Sequence, residues 1–233
     1  MLTPLVIRLA FRWGVLDDPA HRKTHPKPTP LLGGLAVAAA TWLPILALLF
    51  AYENRISIEL RENLTVLGMM FVAGVSMVAL GVVDDRQGLT AKWKFLVQVP
   101  LALALLSAGV HFDMLSVPFV GSIALGWFAP VLTVLWLVGI TNALNLIDGV
   151  DGLAAGVALF VALTNGVIAA MHNNAFMAVT MFSLAGACTG FLRYNWNPAR
   201  IFLGDSGSLF LGITLAVSSA LSVQKATVAV SML

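Results

Sequence analysis

The segment GVVDDRQGLTAKWKFLVQ, residues 81–98, places two adjacent carboxylates, Asp84 and Asp85, shortly before two lysines, Lys92 and Lys94. Neighbouring carboxylates resist being ionised together unless a cation lies beside them. Such a pair can hold Mg²⁺, accept a proton from a phosphate, or do both. Either lysine can serve a diphosphate as a point charge. Ordinary polar flanking of a membrane helix is the alternative for both pairs.

A second polar segment, NALNLIDGVDGL, places Asn145, Asp148 and Asp151 three residues apart. On a helix this spacing forms an oblique stripe rather than scattering the side chains around the axis. Gly149 and Gly152 permit a turn or the close approach of a ligand. Because acids at the membrane edge are costly and normally face a cavity or a partner, the stripe predicts a ligand site. A tight, solvated turn is the alternative.

Two further loops carry groups that suit phosphate or metal. RYNWNPARIFLGDSGSLFLG, residues 193–212, contains Arg193, Asn195 and Asp205 before a helix whose N-terminus would attract phosphate. Capping of that helix explains Asp205 as readily as metal binding does. DDPAHRKTHPKPTPLLGG, residues 17–34, is a proline-stiffened basic loop with Arg22 and His25, suited to phosphate or to anionic lipid headgroups.

Long apolar runs must position these groups. The 233-residue chain is 59% hydrophobic and only 10% charged, whereas soluble domains carry about 25% charged residues. We therefore predict an all-α, polytopic membrane helix bundle forming one domain over residues 1–233. About eight spans are predicted near residues 1–13, 31–51, 64–83, 95–110, 125–144, 153–171, 175–192 and 207–223. The last span stops close to the chain's end and the first is short, so we expect truncation at the C-terminus and consider it at the N-terminus.

The charges sort between the two sides of this bundle. Ten of the 13 lysines and arginines fall at loops near 14–30, 84–94, 145–152 and 193–206, or beside them. The positive-inside rule assigns these loops to the cytoplasm. Seven aspartates fall on the same side: Asp17, Asp18, Asp84, Asp85, Asp148, Asp151 and Asp205. The net charge of +2 is too small to indicate nucleic-acid binding.

Acids, lysines and arginines gathered at one membrane face suit a Mg²⁺-assisted reaction on phosphates. One substrate would be a soluble anion from the cytosol. The other would be a lipid that reaches the site from the bilayer between helices. Metal is needed because carboxylates alone would repel a diphosphate.

Taken together, the four loops resemble those of the polyprenyl-phosphate N-acetylhexosamine-1-phosphate transferases of glycosyltransferase family 4. HRKTHPKPTPLLGG, GVVDDR, NALNLIDGVDGLAAG and NWNPARIFLGDSGSLFLG match in order, spacing and topology over nearly the whole chain. The basic loop is more similar to the N-acetylglucosamine branch than to the phospho-N-acetylmuramoyl-pentapeptide branch. The resemblance implies transfer of N-acetylhexosamine 1-phosphate from a UDP-sugar to undecaprenyl phosphate, with release of UMP. It also implies a multi-pass protein of the bacterial inner membrane with a cytoplasmic active site, acting at the first membrane step of an envelope polysaccharide.

The resemblance also implies roles for individual residues. Asp84 would deprotonate or orient the lipid phosphate, and Asp85 would support metal or phosphate geometry. Asp205 would bind Mg²⁺, for which Mn²⁺ is a substitute, and Lys94 would contact phosphate. Substrate-binding residues would be Asn145, Asp148, Asp151, Lys92, Arg193, Asn195, Arg22 and His25. Direct displacement and a covalent aspartyl intermediate both remain open.

A departure from the family pattern and two rival functions accompany this interpretation. Family members continue through further spans and a His-rich cytoplasmic loop, whereas this sequence ends at Leu233. We therefore weigh a fragment, or a non-catalytic paralogue, against the active enzyme. An intramembrane aspartyl protease is suggested only by LGD at 203–205, and the abundance of aspartates beside basic residues opposes it. The family resemblance is compatible with a homodimer.

Overall fold

A computed structural model describes residues 2–17, 28–50, 54–117 and 121–231 of the chain, and within them it is mostly helical. The helices are α1 Leu2–Trp13, α2 Gly33–Leu49, α3 Arg55–Glu62, α4 Leu64–Gln87, α5 Ala91–Ser107, α6 Ala129–Ile147, α7 Leu153–Met171, α8 Ala175–Asn195 and α9 Gly204–Ser231, with a 3₁₀ turn at Gly126–Phe128. Two small antiparallel pairs accompany them: β1 Leu16–Asp17 with β2 Thr29–Pro30, and β3 Met114–Val117 with β4 Gly121–Ala124.

Five of the described helices are long and apolar enough to cross a membrane: Leu64–Gln87, Gly126–Ile147, Leu153–Met171, Ala175–Asn195 and Gly204–Ser222. The apolar α2 has 17 residues, a length of roughly 25 Å at the usual helical rise. The predicted spans near 1–13 and 95–110 correspond to α1 and α5, of 12 and 17 residues. The prediction of an all-α, multi-pass membrane bundle is confirmed.

The polar connections contain more regular structure than the sequence indicated. Helix α3 lies where only a loop was expected, and its N-terminus is closed by reciprocal hydrogen bonds between Asn54 and Ser57. Glu59 of this helix accepts a hydrogen bond of 3.2 Å from the Phe176 N–H at the start of α8. A search for long apolar runs cannot detect a polar helix of eight residues, because capping and tertiary contacts stabilise it instead.

The predicted loop at 84–94 is mostly helical. Helix α4 continues through Asp84 and Asp85 to Gln87 and is ended by Gly88, whose φ of 65° is left-handed. Helix α5 begins only three residues later, so both lysines of this segment lie in its first turn. The polar side chains of this segment therefore lie on the ends of two helices, which remain helical there. At the predicted loop 14–30 the two ends are joined as β1 and β2, and residues 18–27 lie outside the described ranges.

Helix α9 is the centre of the bundle. Within its most apolar stretch 89% of the residues are buried, against 22% for the stretch that contains α6. It packs against α2, α4, α6 and α7. Its buried hydroxyls bond largely to its own backbone, as when Thr214 donates to the Phe210 carbonyl at 2.8 Å. A helix with small, internally satisfied polar residues can be surrounded closely by other helices within a membrane.

Glycines let the neighbouring backbones approach the first turns of α9. A Cβ on Gly34 of α2 would lie 2.1 Å from the Gly207 nitrogen, and one on Gly81 of α4 would lie 2.2 Å from Ser206 Cα. Real Cβ atoms do not come this close to backbone. The two helices therefore meet α9 at a distance that only glycine allows, and this fixes where the end of α4 stands.

We predict that Gly81→Ala destabilises the protein by about 1–3 kcal/mol, as overpacking of a tight contact does. Gly68→Ala, on the same helix but with nothing within 4 Å of the added methyl group, is the matched control and should leave the melting temperature near that of the parent protein. Thermal unfolding of the detergent-solubilised proteins measures both. Equal melting temperatures for the two variants would contradict the packing assignment.

Candidate active site

The N-terminus of α9 is capped by a side chain from another helix. One oxygen of Asp85, on the last turn of α4, accepts a hydrogen bond of 2.9 Å from the Asp205 N–H, and the other accepts one of 3.4 Å from the Ser206 N–H. The first amides of a helix have no intrahelical partner and favour a negative group. Gly204 precedes them with a φ of 71°, and a Cβ there would lie 2.7 Å from Asp85 Oδ2. The sequence GD at 204–205 thus lets the carboxylate reach the helix end.

An ammonium group joins the two other carboxylates at this place. Lys94 Nζ contacts Asp84 Oδ2 and lies 2.8 Å from Asp205 Oδ2. The remaining oxygen of Asp84 accepts a hydrogen bond of 2.6 Å from the Leu89 N–H, which fastens the turn between α4 and α5. The lysine side chain is only 16% exposed, so its charge is committed to the two aspartates rather than to water.

Helix α6 completes the arrangement with an amide. Asn145 Nδ2 lies 2.8 Å from Asp205 Oδ1 and 2.8 Å from Ser208 Oγ. Both oxygens of Asp205 are therefore engaged, one by Lys94 and the other by Asn145. We call Asp84, Asp85, Lys94, Asn145 and Asp205 the Asp205 cluster; it brings together residues from α4, α5, α6 and α9.

Asp148 follows α6 and faces the cluster. Burial, together with the negative charges of Asp205, Asp85 and Asp151, raises the pKa of its carboxyl to about 8. Its side chain makes no hydrogen bond to any residue in the described part of the chain. A carboxyl group with this pKa is largely neutral at pH 7 until a cation approaches. Asp148 is therefore an oxygen donor near the cluster whose ionisation a cation would favour.

Asp151 and Asn195 belong to a second, neighbouring set of contacts that joins two loops. Asp151 Oδ2 accepts hydrogen bonds from Asn197 Nδ2 at 3.1 Å and from the Ala199 N–H at 3.0 Å. Asn195, which is 4% exposed, accepts from the Gly152 N–H at 3.0 Å and donates to the Ile201 carbonyl at 2.9 Å. Both side chains thus hold the loops after α6 and α8 in register.

The predicted site residues therefore separate into groups. The structure brings Asp84, Asp85, Lys94, Asn145 and Asp205 into contact and places Asp148 beside them. Asn195 is buried with its amide bonded to backbone, which argues against contact with substrate, and Asp85 is a helix cap in addition to its predicted metal or phosphate role. Lys92 and Arg193 are exposed at the same end of the bundle. Arg22 and His25 lie outside the described residues. The assigned substrate and metal roles remain predictions.

Sequence reasoning missed a polar pair beneath the cluster. Gln98 and Asn142 contact each other between α5 and α6. The signal was a glutamine inside the apolar run of α5 and an asparagine one turn before Asn145. Neither residue has an obvious partner until the two helices are packed.

The described side chains near Asp205 offer few ligands for the predicted metal ion. Across the described ranges, no group of three or more histidine, cysteine or acidic side chains converges in a way that would hold a metal ion alone. Mg²⁺ is usually held by one or two carboxylates together with waters and substrate phosphates. Asp205 and Asp148 fit that smaller demand.

The family follows from comparison with known proteins. Residues 66–223 match the family model described as Glycosyl transferase family 4. The chain belongs to this family. It is 40% identical over 226 residues to the probable undecaprenyl-phosphate N-acetylglucosaminyl 1-phosphate transferase of Bacillus subtilis, covering 97% of the chain and 60% of that relative. It is 39% identical to the decaprenyl-phosphate N-acetylglucosaminephosphotransferase of Mycolicibacterium smegmatis, covering 91% of the chain and 54% of the relative.

The sister branch of the family matches as well. Identity to the phospho-N-acetylmuramoyl-pentapeptide-transferase of Listeria welshimeri is 34% over 234 residues, which covers 95% of the chain and 69% of that protein. The higher identities lie on the N-acetylglucosamine side, as the resemblance of the basic loop indicated. This member of glycosyl transferase family 4 spans little more than half the length of the first two relatives.

The Asp85 cap on α9 should contribute to the free energy of unfolding. Asp85→Ala removes both acceptors from buried N–H groups and should cost about 1–3 kcal/mol. Asp85→Asn keeps one acceptor oxygen and should cost less. The melting temperatures of purified variants measure the difference, with the exposed Asp113→Ala as control. A melting temperature for Asp85→Ala equal to that of the parent would show that the carboxylate is not a cap.

Proposed function

We propose that the protein transfers N-acetylglucosamine 1-phosphate from its UDP derivative to undecaprenyl phosphate. A phosphate oxygen of the lipid forms a bond to the phosphorus that carries the sugar. The bond from that phosphorus to the bridging oxygen breaks, and UMP leaves with that oxygen. The products are undecaprenyl diphospho-N-acetylglucosamine and UMP, and no oxidant or other reactant is required.

The observation that carries this proposal is the contact of Lys94 with both Asp84 and Asp205 at a buried helix end. A lysine held in this way is a fixed positive charge for one phosphate group. Asp84 would orient the lipid phosphate and take its proton. Asn145, which contacts the opposite oxygen of Asp205 at 2.8 Å, keeps that carboxylate directed toward the same space.

The charge balance of the cluster supports a divalent cation. Three carboxylates lie around a single ammonium group among the described residues, and Asp148 adds a fourth when it ionises. A diphosphate would be repelled by this excess of negative charge. Asp205 and Asp148 would hold Mg²⁺, which would neutralise phosphate charge and polarise the phosphoryl oxygens when bound.

The position of the cluster suits one soluble and one lipid substrate. Its residues lie at the ends of α4 and α6 and the starts of α5 and α9, where a lipid phosphate at the edge of the hydrocarbon would meet them. The excess of lysine and arginine at this end supports a cytoplasmic orientation. A UDP-sugar would reach the same place from the cytosol, in the inner membrane of a bacterium.

The choice of sugar rests on the relatives. The proteins of Bacillus subtilis and Mycolicibacterium smegmatis both carry N-acetylglucosamine in their names and are the more similar to this chain. The product would begin an envelope polysaccharide. The geometry gives no support to an aspartyl protease, since Lys94 contacts both Asp84 and Asp205, whereas such a protease needs two aspartates facing each other.

We predict that Asp205→Asn and Lys94→Met each lower transfer by at least about a hundredfold, the usual loss when a preorganised charge is removed from such a site. Membranes are incubated with radiolabelled UDP-N-acetylglucosamine and undecaprenyl phosphate, and both labelled lipid and UMP are measured. Asp113→Asn, at the opposite end of the bundle, is the carboxylate control.

Expression of each variant is measured in the same membranes so that loss of protein is separated from loss of chemistry. Transfer at the parent rate in both site variants would refute the assignment of the site. Transfer of phospho-N-acetylmuramoyl-pentapeptide instead would place the protein in the sister branch.

We further predict that EDTA abolishes transfer and that Mg²⁺ restores it, because the carboxylates repel the diphosphate without a cation. Asp148→Asn should raise the Mg²⁺ concentration for half-maximal rate at least about tenfold. Titration of Mg²⁺ in the transfer assay measures this, again with Asp113→Asn as control. A rate that is unchanged in EDTA would rule out the metal requirement.

A further inference from the structure

Gln98 and Asn142 form a partly buried amide pair between α5 and α6. Asn142 Nδ2 donates to Gln98 Oε1 at 2.6 Å and also to the Val138 carbonyl at 2.8 Å. Gln98 Nε2 lies 3.4 Å from Asn142 Oδ1. Gln98 is only 2% exposed. It is a polar residue in an otherwise apolar stretch of the chain.

The pair lies one helical turn from the Asp205 cluster on both of its helices. Lys94 precedes Gln98 by four residues on α5, and Asn145 follows Asn142 by three on α6, so each couple occupies one helix face. Lys94 and Asn145 are the residues that engage the two oxygens of Asp205. The amide pair therefore links the two helices whose side chains hold Asp205.

Helix α5 packs against α4 and α6, and much of its remaining surface is exposed. Trp93, Phe95 and Leu96 are exposed by 58%, 46% and 61%, so the helix packs through one narrow face. Apolar contacts on that face tolerate small rotations and shifts. The amide pair does not, because its hydrogen bonds are satisfied only in one register. A polar residue buried between helices, as Gln98 is, can specify register in this way.

We propose that Gln98 and Asn142 are a positioning pair: they set the register of α5 against α6 and so hold Lys94 and Asn145 on Asp205. Neither amide touches substrate in this assignment. The kinetic consequence rests on the proposed function, whereas the effect on the position of Lys94 does not.

A double variant distinguishes a pair that only stabilises the bundle from a pair that sets the register of α5 against α6. Either single change to an apolar residue leaves a partner amide without its bond and lowers the melting temperature. Changing both, as in Gln98→Met with Asn142→Leu, removes both polar groups and should recover most of the melting temperature. If the pair only stabilises the bundle, function and local geometry recover too. If it sets register, they do not.

The first measurement is the labelling of lysine amines by an acylating reagent, read by mass spectrometry. Lys92 is exposed and two residues away, so it is an internal reference in the same chain. Lys94 is protected by its two carboxylate partners. In the double variant we expect the Lys94 to Lys92 labelling ratio to rise about tenfold, equivalent to roughly 1.4 kcal/mol.

Two further variants serve as a milder alternative and as a control for the loss of a polar contact. Gln98→Met alone is the mildest change, because Asn142 keeps its bond to the Val138 carbonyl, and it serves if the double variant does not fold. Asn165→Leu with Ser218→Ala removes a comparable polar contact of 3.4 Å between α7 and α9. This control should leave the labelling ratio unchanged even where it lowers the melting temperature.

The second measurement is the transfer rate. In the double variant we expect kcat to fall at least about tenfold while KM for UDP-N-acetylglucosamine changes less than about threefold, as when a group supporting a site residue is lost. A labelling ratio that stays at the parent value in both Gln98 variants would overturn the proposal. A raised ratio with an unchanged kcat would overturn its link to catalysis. A parent protein with no transfer activity would count against the proposed function and leave the labelling test intact.

Discussion

The N-terminus of α9 is buried among other helices, and its backbone amides, which lack partners within the helix, impose the constraint on which the site depends. Within an apolar bundle such N–H groups need partners. Asp85 supplies them from α4 through two hydrogen bonds. Because glycines at 34 and 81 bring α2 and α4 against the first turn of α9, the cap is held at a fixed place. Everything else in the Asp205 cluster is arranged around this contact.

The cap has an electrostatic consequence. It places one carboxylate on the helix end while Asp205, the first acidic residue of α9, lies beside it and Asp84 lies on the same turn of α4. Lys94 neutralises part of this negative charge by contacting Asp84 and Asp205. The remainder stays uncompensated among the described residues. The capping of a buried helix end thereby gathers acidic side chains at one place, and the proposed cation would offset their charge.

The long apolar runs, the clustering of basic residues and the four polar motifs were readable from sequence, because helical spans need about 20 apolar residues and because charge asymmetry follows orientation. The contact of Lys94 with Asp205 was not readable, since 111 positions separate the two residues along the chain. Helix α3 was missed for a related reason. Its cap uses a local pair, Asn54 and Ser57, but its fit against α8 depends on tertiary packing.

Sequence by itself determined the membrane class, the grouping of acids at one end of the bundle and the family resemblance, because each depends on residue type and order alone. The tertiary structure decided the division of labour among those residues: Asp85 caps a helix, Asn195 fastens loops, and Lys94 rather than Lys92 joins the cluster. It also revealed the amide pair of Gln98 and Asn142. Such roles depend on which helix faces meet and at what register, and no local pattern of residues specifies that.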